Sequence, residues 1–168
     1  MRRMLPPAVT RELCLDKGER PLAWAIDRDG HWHVGTDRAL HISEVDCWRT
    51  LRWEHIERAE WQGEPEVLRV VEVVGWGEPE VQTDLALADA GRLLELLRER
   101  VTKSVVVTVF AVVHPRRGLS VVGRRSPLGE GDVLWSYVLS QGLDPDDPSV
   151  IKVAERTLEQ ARAELAGL

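Results

Sequence analysis

The chain has 168 residues, 43% hydrophobic and 30% charged, a balance that belongs to folded globular proteins and excludes disordered or fibrous ones. Its net charge of −6 lacks the basic face that phosphate neutralisation requires, which argues against nucleic acid as a partner. No apolar run approaches the roughly 18 residues of a membrane span, and Met1-Arg2-Arg3-Met4-Leu5-Pro6-Pro7 has no signal-peptide core, so a cytoplasmic location is expected and membrane association is not.

Pro6-Pro7 ahead of Ala8 to Leu13 predicts one or two helical turns closed by Lys17-Gly18. Leu22 to Ile26, the Asp29-Gly30 turn and His31 to Thr36 read as a hairpin in which Trp24 and Trp32 face each other. Arg38 to Ile42, Trp48 to Trp53, Ile56 to Trp61, Val67 to Val74 and Val81 to Leu87 continue at meander spacing, giving seven short strands. Asp89 is placed to cap a following helix whose apolar stripe is Leu93, Leu94, Leu97 and Val101.

Val105 to Val113 is apolar at nearly every position, so both of its faces are expected to be covered, within the monomer by preference or else in a homodimer. Leu119 to Val122 and Val133 to Leu139 supply two more strands. Asp147 as cap and Pro148 at the first helical position then open a helix expected to dock through Ile151, Ala154, Leu158, Ala161 and Leu165. The chain divides into an arm over 1–17, a seven-stranded unit with its helix over 18–104, and a β-β-β-α extension over 105–168. Acidity is concentrated in the part up to Ser104.

Four segments carry a family resemblance. Glu19-Arg20-Pro21-Leu22-Ala23-Trp24 resembles the opening strand of the bacterial pleckstrin-homology-like domains, relatives of the GRAM and PH folds. Gly35-Thr36-Asp37-Arg38-Ala39-Leu40-His41-Ile42 resembles their second-to-third-strand corner, with Ala39 where arginine is usual and Arg38 one place early. Leu51 to Ala59 resembles a later strand pair, and Asp89 to Leu97 the closing helix. The likeness spans Gly18 to Lys103, and the whole chain is similar to a group of actinobacterial proteins. It implies an α+β fold, a PH-like β-sandwich or barrel of about seven antiparallel strands closed by a helix. It also implies a binding role, while fold alone assigns no function.

The candidate chemistry is sparse. His31 and His33 lie on one face of a strand and could hold a metal, but no third ligand is fixed nearby; His41, His55, Cys47 and His114 could approach only through the fold. The alternative is exposed strand histidines, and the expectation is no metal. Cys14 and Cys47 match no metal or redox spacing. No nucleophile elbow, zinc-protease or phosphate-loop motif occurs, so no catalytic residue or cofactor is expected. The acidic run Asp144-Pro145-Asp146-Asp147-Pro148 reads as a helix cap rather than a calcium loop.

Of seven tryptophans, Trp76 lies between Gly75 and Gly77 in a loop, where an indole either anchors a partner or folds back on its own domain. Arg116-Arg117 and Arg124-Arg125 could form one four-arginine patch; the alternative is a solvated hairpin whose charges block aggregation. The expected function is therefore a non-catalytic module that binds a protein partner through Trp76, Arg116, Arg117, Arg124 and Arg125. An anionic-lipid module is the second reading, opposed by the acidic first hairpin Asp27-Arg28-Asp29-Gly30. A small-molecule enzyme or metal-binding protein is the third.

Overall fold

The computed structural model describes residues 4–168, so residues 1–3 of the expected arm lie outside the described residues. The fold is α+β, and the described residues form ten strands in three antiparallel sheets and three α-helices. Helix α1 (Pro7–Glu12) precedes β1 (Pro21–Ile26), β2 (Trp32–Thr36), β3 (Ala39–Ser43) and β4 (Trp48–Arg52), which pair in sequence order as one sheet. A 3-10 turn, Trp53–His55, leads to β5 (Ile56–Gly63), β6 (Glu66–Glu72) and β7 (Gln82–Leu85), which form a second. No ladder joins the two among the described residues, so they are open sheets and not a closed barrel. The tight turn at Trp53, whose indole donates to the Thr36 carbonyl at 3.1 Å, separates β4 from β5.

Helix α2 (Gly91–Ser104) brings Leu93, Leu96 and Leu97 onto a core shared by both sheets, with Ala23, Leu40, Leu51, Ile56, Leu68 and Leu85. The helix lies so close to β2 that a Cβ at Gly35 would stand 2.7 Å from the end of the Leu96 side chain, which would have to shift to admit it. Asp89 does not cap this helix; the cap position is Ala90, with no side-chain bond. The opposite face of the first sheet carries Trp24, Trp32, Val34 and Trp48, covered by Leu5, Val9 and Leu13 of the N-terminal segment. Trp24 pairs with Val34 and Trp32 with Ile26, so the two indoles are diagonal neighbours rather than a directly opposed pair.

The third sheet has the order β10 (Leu134–Leu139), β9 (Arg117–Arg124), β8 (Val105–His114). Helix α3 (Pro148–Ala166) lies on one face and opens as expected, with Asp147 accepting from the Ser149 amide at 2.8 Å and Pro148 in the first turn. Its buried residues are Val150, Ala154, Thr157 and Ala161. Leu158 and Leu165 are partly buried against the same cluster, but Ile151 is exposed, a correction to the expected stripe. Thr157 is accommodated because its hydroxyl donates to the Val153 carbonyl at 2.6 Å.

Strand β8 departs most from expectation. Val107 and Val109 are buried against α3, but Phe110 and Val112 on the other face are 61% and 65% exposed, and β8 is an edge strand. One face of the apolar segment is covered in the monomer and the other is not.

Candidate functional site

The exposed face of β8 continues across its neighbours. Phe110 is opposite Ser120 of β9, which is opposite Val138 of β10, itself 40% exposed, so the three make one row across the sheet. The Phe110 ring also lies over Gly118, where an added Cβ would stand 2.5 Å from it. From Val105 to Val113 the edge strand has no charged residue and no proline, which are the usual devices against strand addition. The turn beyond Val112 presents exposed Arg116, with a left-handed φ of 67°, and exposed Arg117, whose guanidinium donates to the Gly142 carbonyl at 3.3 Å. Exposed Phe110 and Val112 therefore lie on the β8–β9 hairpin near two arginines without ion-pair partners among the described residues.

Arg124 and Arg125 do not join them. Arg117 and Arg124 begin and end β9, seven residues and so roughly 23 Å apart, which rules out a four-arginine patch. Arg124 is 5% exposed and donates to the Glu57 carbonyl at 2.9 Å and to the Ser104 hydroxyl at 3.4 Å. Burial pushes its pKa down, partly offset by the nearby Glu57 charge. The Arg125 amide donates to the Ser104 carbonyl at 2.8 Å. These bonds join the end of β9 to β5 and to the C-terminus of α2, beside an open groove of about 520 Å³ lined also by Arg58, Arg98, Leu97 and Val101.

Trp76 folds back. It meets Tyr137 edge to face, with centroids 5.0 Å apart and planes at 87°, and its indole N–H donates to the Pro145 carbonyl at 3.1 Å. The β6–β7 loop is thereby fastened to the C-terminal cluster, and the half-buried indole has an internal role.

Two histidine arrangements complete the polar groups. Asp27 closes the first hairpin, its Oδ1 accepting from the amides of Asp29 and His31 at 2.9 and 2.8 Å. Its Oδ2 faces His31 Nδ1 at 3.2 Å and His33 Nε2 at 3.1 Å. The fold thus brings to the His31/His33 pair a carboxylate that sequence reasoning did not associate with them. The signal was the Asp-x-Asp-Gly turn read only as a hairpin signature. Burial lowers the His33 pKa, with the hydrogen bond to Asp27 opposing. Asp27 itself is held below its ordinary value: burial raises it, but the amide and the two imidazoles outweigh that.

The second arrangement is a chain from the Thr50 hydroxyl to His41 Nδ1 at 3.0 Å and from His41 Nε2 to Glu19 Oε1 at 2.7 Å. Hydroxyl, imidazole and carboxylate in that order can activate a nucleophile. Here Glu19 also accepts from Thr36 at 2.6 Å, and the Thr36 hydroxyl in turn accepts from the Ala39 amide at 2.9 Å. The chain therefore braces the β2–β3 corner, with His41, a possible metal ligand by sequence, bonded instead to Glu19 and Thr50.

Comparison with known proteins finds no matching family model, curated protein or solved structure. Among the described residues no helix is long and apolar enough to cross a membrane.

Proposed function

We propose that this protein is a non-catalytic, cytoplasmic, PH-like interaction module that engages a protein partner through the β8–β9 hairpin. The observation that carries the reading is the exposure of Phe110 and Val112, at 61% and 65%, on an uncharged edge strand beside Arg116 and Arg117. Aromatic and arginine side chains are enriched at the centres of protein interfaces, and a free edge offers backbone groups to an added strand. The PH-like part rests on the element order, four strands, then three, then a helix, which agrees with the segment resemblance. Trp76 and Arg124, bonded within the molecule, are not part of the binding surface.

Co-purification from the native cell tests this with wild type, Val112→Asp and Arg116→Glu. A protein retained by wild type and lost from both variants, each still folded by circular dichroism, is the expected result. A wild type that retains no protein, or variants that retain the same one, would overturn the reading.

A further inference from the structure

We propose that the β1–β2 hairpin is a binding site for one divalent first-row transition ion of the zinc class, with Asp27, Asp29 and His31 as its protein ligands. One donor atom from each of the three lies within 4.8 Å of the others. The separation of His31 Nδ1 and Asp27 Oδ2, 3.2 Å, is close to the distance between two ligands on a tetrahedron with bonds of about 2.0–2.1 Å. An ion can therefore sit between these two atoms without moving either far. Imidazole with carboxylate is a ligand set suited to zinc and its neighbours rather than to magnesium or calcium.

The surroundings hold the ligands in place. Asp27 Oδ1 is committed to two backbone amides, which leaves Oδ2 turned toward the site. Behind it, His33 is 1% exposed, with Nε2 3.1 Å from Asp27 Oδ2 and with Nδ1 buried and unpartnered. A buried N–H without an acceptor is costly, so the proton sits on Nε2 and is donated to Asp27. His33 is thus a positioning residue of the kind that orients metal-bound carboxylates, and not itself a ligand. His31 and Asp29 are reachable from solvent, so an ion can enter and water can complete its coordination.

The site also has something to fasten. Asp27 forms a bridge with Leu87, and the Arg28 amide donates to the Ala86 carbonyl at 3.0 Å, so the hairpin is tied to the segment that leads from β7 into α2. An ion bound to the hairpin stabilises the folded state by mass action. The site shares no residue with the β8–β9 surface, so it stands or falls independently of the proposed partner.

Titration calorimetry with zinc alone, on the full chain, is the test, with thermal unfolding as a second readout. Wild type should bind one equivalent and melt higher with zinc, and Asp29→Asn and His31→Ala should each weaken binding by at least about tenfold. Both positions are at the hairpin surface, unlike Asp27, whose replacement also removes the turn. The double variant Cys14→Ser with Cys47→Ser should bind as wild type does, since both thiols are exposed and could capture zinc on their own. Absence of saturable binding, undiminished binding in both hairpin variants, or loss of binding with the cysteines would each overturn the assignment.

Discussion

Replacing Trp76 separates an internal role from a partner contact, and its cost can be worked out. An aromatic ring buries about 150–250 Å² when fully covered; for a half-buried indole about 100 Å² counts, or about 2.5 kcal/mol at 25 cal/mol per Å². The hydrogen bond to Pro145 contributes about 1 kcal/mol, and the edge-to-face contact with Tyr137 about 0.5–1.5 kcal/mol. A compact unfolded state lowers the total, so Trp76→Ala should destabilise by about 3–4 kcal/mol and Trp76→Phe, which keeps a ring but not the N–H, by about 1–2. The assay is urea unfolding followed by far-UV circular dichroism. A double-mutant cycle with Tyr137→Ala should give a coupling of about 1 kcal/mol between two residues 61 positions apart in sequence. A Trp76→Ala cost below about 0.5 kcal/mol, or additivity within about 0.3, would refute the clasp. It would also return Trp76 to the surface as a candidate partner contact.

Gly118→Ala places a Cβ against the Ala111 carbonyl and the Phe110 ring and should destabilise by about 1–3 kcal/mol, read as a shift in the urea midpoint without a change in slope. The Glu19 carboxyl is held below its ordinary value: burial raises it, but hydrogen bonds from Thr36, His41 and the Asp16 amide outweigh that. Its stabilising effect is complete above the unfolded glutamate value of about 4.3 and is lost as pH falls through the lower folded value. The melting temperature of wild type should accordingly drop more steeply below about pH 4.3 than that of Glu19→Gln. Vesicles rich in anionic lipid should leave the protein in the supernatant after sedimentation, because the first hairpin tip carries Asp27 and Asp29 against Arg28; salt-sensitive pelleting would revive the lipid reading.

What the sequence disclosed depended on whether a local pattern had one physical solution. Strands with a buried and an exposed face alternate, and their order and approximate limits follow from that alternation. The opening of α3 was equally plain, because Asp147 and Pro148 have few other uses side by side. Its phase was not: Val150 and Ile151 are both apolar, and only the packing against β8 and β9 selects Val150 and buries Thr157. In β8 a nearly uniform apolar run implied two covered faces, but one chain supplies a single helix, and that covers one face. The Asp27 cluster needed the turn itself, since the convergence of its carboxylate on His31 and His33 follows from amide bonds that no spacing rule contains.

The arginines of β9 show how position decides the role of a residue type. Arg117 opens the strand at a turn in solvent, so its charge is available to a partner at little desolvation cost. Arg124 ends the same strand where β5 and α2 meet it, and its guanidinium is bonded to a carbonyl and a hydroxyl with no carboxylate within ion-pair distance among the described residues. Reversing Arg124 to glutamate would bury a negative charge opposite the Glu57 carbonyl and disturb the fold, whereas Arg116→Glu changes only exposed charge. A combined variant would lose a partner for either reason. The contact at the hairpin tip is therefore tested with Arg116 changed and Arg124 intact.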